Sequence, residues 1–187
     1  MDALRAIRQH KGLSQRQLAS LAGLSYKSIQ LVESGRHNVE IATLQKIATC
    51  LGYPHHILEA RVNALFALPP DAIAVVAEWI ASEGEDTWQI WVMGFVDAFR
   101  QAGDPLPFIL DPPRGSARIQ ALLASTVEAL CAERAIASPA WTAAVAPLDR
   151  PWFVAGVENL KATAVAESPI YFRRRNIFVL GNFLDRV

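Results

Sequence analysis

Gly12, Gly23, Gly35 and Gly52 cut the start of the chain into four stretches, each with room only for a brief helix. Every one of these glycines follows apolar residues at helical spacing, where a left-handed C-terminal cap belongs. The first stretch carries Leu4 and Ile7. The second opens at Ser14, which with Gln17 forms an S-x-x-Q capping box, and is expected to bury Leu18 and Leu21. The third opens at Ser25 and buries Ile29 and Val32. The fourth buries Leu44, Ile47, Ala48 and Leu51. Only Gly23 and Leu24 separate the second stretch from the third.

Composition places this head on a larger, different body. The 187 residues are 52% hydrophobic and 19% charged, enough apolar material for a packed core. Lys plus Arg equals Asp plus Glu at 18 each, which excludes a general polycation. The balance is uneven along the chain. Residues 1–62 hold eight basic and four acidic side chains, whereas residues 63–187 hold ten basic and fourteen acidic. All five tryptophans lie in the second part. Two modules with different partners are expected, 1–62 and 63–187. Cys50 and Cys131 stand far apart, with no spacing for zinc or a disulfide framework. No apolar run is long enough for a bilayer, and Met1-Asp2-Ala3-Leu4-Arg5 leads into no signal-peptide core, so a soluble cytoplasmic protein is expected.

Two short helices joined by so tight a turn, with flanking helices to complete a core, describe a helix-turn-helix. The residues Leu4-Arg-x-x-Arg8, Gly12-Leu-Ser-Gln15, Leu18-Ala, Ala22-Gly23-Leu-Ser25, Ile29, Val32-Glu33-x-Gly35-Arg36, Thr43-Leu44-x-x-Ile47-Ala48 and Leu51-Gly52 follow without gaps. This pattern resembles the Cro/CI (XRE) family of DNA-binding domains over about the first third of the chain. The resemblance implies a lambda-repressor-like fold of about five helices, with the third in the DNA major groove. It places Gln15, Ser25, Tyr26, Lys27, Ser28 and Leu31 at DNA-facing positions and Arg36 at a phosphate-clamping one. It also implies that Arg8 and Glu33 pair structurally, tying the first helix to the third.

The side chains agree with that role. Tyr26, Lys27, Gln30 and Leu31 share the outer face of the third helix, with Ser25 and Ser28 near its start. Amide and ammonium groups read base edges, Leu31 suits a thymine methyl, and a helix N-terminus offers N–H groups to phosphate. Two positions depart from the family pattern. Leu31 stands where Arg or Gln is common, and Val39-Glu40 replaces the usual Pro-Ser before helix four, which weakens that cap.

The body reads as mostly helical. Helices are expected over 69–83, 86–101, 116–134 and 153–166, with a short one between Pro139 and Pro147. Trp88, Trp91, Phe95 and Phe99 form an apolar stripe, read as core, with a dimer seam or partner groove as the other reading. The tail, Tyr171-Phe172-Arg173-Arg174-Arg175-Asn176-Ile177-Phe178-Val179, sets three arginines beside a β-prone run and is expected to form a short strand or extended arm. Glu167–Val179 with Phe183-Leu184-Asp185-Arg186 resembles the tail of XRE proteins encoded beside AbiEii-type nucleotidyltransferase toxins. That resemblance implies an antitoxin, with Phe172, Arg173, Arg174, Arg175 and Asn176 as toxin-binding residues. Arg173–Arg175 also reads as a solvated charge run or as a phosphate contact to DNA.

No catalytic, metal or cofactor motif occurs. His10, His37, His55 and His56 fit neither HExxH nor a zinc spacing, and GxGxxG, GxxxxGK[ST] and GxSxG are absent. The sequence therefore predicts a mainly α, non-enzymatic, homodimeric repressor of double-stranded operator DNA. It is read as the antitoxin of a toxin–antitoxin pair, needing no cofactor. The alternative is a free-standing regulator whose body senses a small ligand in a pocket lined by Trp88 and Trp91.

Overall fold

The computed structural model describes residues 2–35 and 38–185. The chain is mainly α and divides into two compact units, residues 1–67 and 68–187.

The first unit contains α1 (Asp2–His10), α2 (Gln15–Ala22), α3 (Tyr26–Ser34), α4 (Ile41–Cys50) and α5 (Ile57–Phe66). Its core is Leu18, Ala19, Ala22, Ile29, Val32, Ile47 and Leu51, with Leu4, Ile7 and Leu44 packed against it. Ser14 caps α2 through the full capping box, its hydroxyl accepting from the Gln17 N–H while the Gln17 side chain accepts from the Ser14 N–H. Gly23 ends α2 at φ +62°, and its N–H and that of Leu24 return to carbonyls of the last turn. That left-handed residue lets α3 begin three residues later, at Tyr26. The expected weak start of α4 is seen, since Glu40 precedes it without a side-chain capping bond. Leu21 corrects the expected core: it is 61% exposed. At about 100° per residue, α2 turns Leu18, Ala19 and Ala22 toward α3 and α4, and Leu21 falls outside that arc.

The second unit is arranged around α8 (Ala117–Glu133), numbered after α6 (Ile73–Glu83) and α7 (Trp88–Gln101). Every residue of α8 from 121 to 131 is buried, so this helix is enclosed on all sides. It packs against α7, against the short α9 (Ala140–Ala144) and against α11 (Ile170–Arg173), while α6 lies on α7. Trp88, Phe95 and Phe99 of the aromatic stripe are core, as expected. Helix α6 starts at Ile73, a turn later than its proline-led beginning suggested.

The expected helix over 153–166 is corrected. Trp152–Phe153 forms strand β1, and α10 occupies only Lys161–Glu167. The tail holds the short strand expected of it and is not an extended arm. It forms α11, then strand β2 (Ile177–Phe178), which pairs in parallel with β1, Trp152 opposite Ile177 and Phe153 opposite Phe178. Asn176 takes the left-handed turn between them at φ +63°, a conformation asparagine tolerates, and its side-chain amide donates to the Leu148 carbonyl at 3.0 Å. Phe172, Ile177 and Val179 enter the core, and Ser168 accepts from the Val179 N–H beside β2. Among the described residues no helix is long and apolar enough to cross a membrane.

Candidate nucleic-acid interface

Burial decides which face of α3 is available. Ile29, Val32 and Glu33 point inward, which leaves Tyr26, Lys27 and Gln30 exposed and Ser28 and Leu31 half-buried. Ser25 caps the helix: its hydroxyl accepts from the Ser28 N–H at 3.0 Å and lies 2.7 Å from the Ser28 hydroxyl. The side-chain amide of Gln30 donates to the Tyr26 hydroxyl at 2.9 Å, one turn apart. The Arg16 guanidinium sits 5.5 Å from the centre of the Tyr26 ring, a cation–π distance. A contiguous polar, cationic surface therefore runs from the first turn of α2 onto α3.

A buried ion pair fixes that surface. Arg8 on α1 donates from Nε to Oε1 of Glu33 at 2.6 Å and from Nη2 to Oε2 at 3.1 Å. Its remaining arm donates to the Leu13 carbonyl at 2.7 Å, binding the α1–α2 turn to the same group. Gln15 donates to Oε2 of Glu33 at 2.7 Å, and Arg5 approaches the same oxygen at 3.7 Å. The hydrogen bond from Arg8 outweighs burial and, with those from Gln15 and the nearby arginine charges, holds the Glu33 carboxyl below its ordinary value. The same hydrogen bond raises Arg8 above its usual range against the opposing effect of burial.

The expected DNA-facing residues thus divide. Ser25, Tyr26, Lys27, Ser28, Gln30 and Leu31 lie together on α3 and its cap. Gln15 is half-buried at the head of α2, and its amide nitrogen is turned to Glu33. Arg36 falls outside the described residues. Sequence reasoning omitted Arg16. Its signal was its place in the first turn of α2, two residues before the buried Leu18 and so on the opposite face.

The residues expected to contact a toxin divide more sharply. Phe172 is fully buried in the core, and Arg175, 2% exposed, is corrected from a surface contact to an internal one. Arg175 donates to both oxygens of Glu128 on α8, at 2.5 and 2.9 Å, and to the carbonyls of Thr142 at 2.5 Å and Tyr171 at 3.2 Å. Burial pushes the Glu128 carboxyl up, but hydrogen bonds from Arg175 and Thr142 with the charges of Arg175 and Arg174 bring it below its ordinary value. Asn176 is half-buried in its turn. Arg173 and Arg174 alone of the five stay exposed, and Arg174 also bridges to Glu128. Trp88 lies against Trp152 and Phe183, while Trp91 stacks on Trp79 at 5.1 Å, so the two indoles expected to line one pocket sit in different surroundings. Among the described residues no group of histidine, cysteine and acidic side chains is placed to hold a metal ion.

A family model described as Helix-turn-helix matches residues 4–58, the segment that carries α1–α4 and the start of α5. Residues 4–58 are therefore a helix-turn-helix domain of the Cro/CI type, the domain of a family of DNA-binding regulators. No curated protein and no solved structure matches the chain.

Proposed function

We propose that this protein is a sequence-specific transcriptional repressor that binds its operator as a homodimer. One observation carries the reading: the outward face of α3, with Tyr26, Lys27 and Gln30 exposed, is set beside Arg16 by the buried Arg8–Glu33–Gln15 cluster. Lys27 and Gln30 would meet base edges, Leu31 a thymine methyl, and Arg16 with Arg36 the phosphates. The dimer is supported by α5, whose Leu65 and Phe66 are 56% and 79% exposed. Two heads joined there would reach half-sites about one helical turn of DNA apart.

The finer reading is that the regulator is an antitoxin, repressing its own operon and neutralising a nucleotidyltransferase-type toxin. It is supported by the resemblance of the tail alone. Since the tail is part of the core, its test uses point variants: Arg173→Ser with Arg174→Ser should release the product of the neighbouring gene in co-purification.

DNA binding is tested by gel shift with the native upstream region. The wild type should retard it with a steep fall in affinity as salt rises, because counterions are released. Tyr26→Ala with Lys27→Ala should abolish the specific complex while the unfolding transition stays in place. No retardation at low salt, or an unchanged footprint for the variant, would refute the reading.

A further inference from the structure

Val145, the residue after α9, lines two clefts of the second unit. One is apolar and walled also by Pro112, Pro113, Trp141, Ala144 and Pro147. The other is walled by Ala143, Arg174 and Arg175. The two adjoin at Val145, so an apolar groove lies next to a cationic pocket.

The cationic part has more positive charge than its own carboxylate can balance. Arg174 and Arg175 both converge on Glu128. Arg175 is buried, but the Arg174 side chain is 46% exposed, and Arg173 beside it is exposed as well. Nε of Arg175 has no hydrogen-bond partner among the described residues, but it is buried beyond the reach of a docked segment, which leaves Arg174 as the accessible donor. An anionic acceptor next to an apolar body is what the two parts of the groove complement.

A nucleic-acid phosphate and a protein carboxylate both satisfy the guanidinium fork. The surroundings favour the carboxylate. Residues 68–187 hold fourteen acidic and ten basic side chains, a field that repels a polyanion, and the proline- and tryptophan-lined walls offer no positive track for a phosphate backbone. We propose that this groove binds a short segment of a partner protein in which Asp or Glu stands beside apolar residues, the carboxylate at Arg174 and the apolar side chain between Trp141 and the prolines. The site adds a protein-binding function to the DNA-binding reading and does not depend on it.

The test pans a phage-displayed library of random heptapeptides on the immobilised full chain, then measures the enriched peptides by fluorescence polarisation. Enriched sequences should place Asp or Glu next to Leu, Ile, Phe or Trp. Replacing that acid by its amide should weaken binding at least tenfold, and so should Arg174→Gln, which leaves the Arg175–Glu128 pair intact. Ala144→Phe, which fills the apolar part, should abolish binding. The Tyr26→Ala, Lys27→Ala variant should bind peptide as the wild type does, which separates this site from the DNA surface. Failure to enrich any peptide, enrichment without acidic residues, or affinity indifferent to both groove variants would overturn the proposal. So would displacement of the peptide by a single-stranded oligonucleotide, which would reassign the groove to nucleic acid.

Discussion

Arg175→Met removes the group that α8 and the tail share. The variant keeps the aliphatic stem and loses the guanidinium, so missing hydrogen bonds dominate the loss and a small cavity adds to it. It takes two hydrogen bonds from Glu128 and one each from the carbonyls of Thr142 and Tyr171. Stranding one partner of a buried pair costs about 3–5 kcal/mol. Arg174 still bridges to Glu128 from the rim, which argues for the lower part of that range, about 3–4 kcal/mol. For a unit of this size that corresponds to a fall in Tm of about 10–15 °C. The assay is direct, because all five tryptophans belong to residues 68–187, so intrinsic fluorescence reports that unit alone. Pairing the change with Glu128→Met should recover most of the loss, since replacing both members of a buried pair by apolar groups is often neutral. A single variant within about 2 °C of wild type, or a double variant no better than the single, would refute the assignment of Arg175 as an internal partner.

Acid should weaken the second unit in a defined direction. Glu128 is held below its ordinary value in the fold, so its contribution is complete above the unfolded carboxylate value and is lost as pH falls through the lowered one. In Arg175→Met that loss should begin at higher pH, as seen in the pH dependence of the fluorescence midpoint. In the first unit, Glu33→Gln leaves Arg8 buried without a charge partner and should cost about 3 kcal/mol, followed by far-ultraviolet circular dichroism, with the tryptophan transition unmoved. Leu18→Ala should cost about 2–5 kcal/mol, whereas Leu21→Ala should stay within about 0.5 kcal/mol, a contrast read in the same dichroism melts. Phe66→Ser should shift sedimentation toward the monomer if α5 forms the dimer seam, without altering the melt of the first unit.

The head was legible because its signals are local. A capping box, a glycine that must turn left-handed and apolar residues three and four apart are each set within a few positions, and all four early helices follow from them. Leu21 was misplaced because spacing alone gives two candidate arcs on an eight-residue helix, and only the arrival of α3 and α4 selects one. Of the tail only its short strand was legible; the place of that strand and of Arg175 in the core was not, for the opposite reason. Its fold depends on contacts 28 to 50 residues away in sequence, from Leu148 to Asn176 and from Ser125 to Arg175. Three adjacent arginines read as solvent-facing because most charged runs are. One signal pointed the other way. Glu128 is the one charged residue in the buried stretch Ala121–Cys131, and a lone carboxylate inside a helix buried on every side requires a cation from elsewhere in the chain.

Both units use this device, and stability is a poor explanation for it, since replacing a buried ion pair by well-packed apolar side chains is often neutral. What an ion pair adds is discrimination between packings of similar hydrophobic area. Arg8 reaches Glu33 only when α1 lies along α3 in one register, and that register sets Ile29 and Val32 inward and Tyr26, Lys27 and Gln30 outward. A slipped α3 would bury Lys27 and leave Glu33 unpaired at once. In the second unit, Glu128 meets two of three successive arginines, Arg175 from inside the core and Arg174 from the rim, and only one of them can take the buried place. Choosing Arg175 draws Phe172 inward one turn earlier and commits Ile177 and Val179 to the core, with Asn176 taking the left-handed bend between. Seating Arg174 in the place of Arg175 would bring Tyr171 to the position of Phe172, burying a phenol hydroxyl, and would turn Ile177 to the opposite face of β2. The same selection leaves Arg174 at the rim, sharing a carboxylate already claimed, and so places surplus positive charge at the mouth of the groove beside Val145. The charge available to a partner in that groove is thus a consequence of how the core is specified.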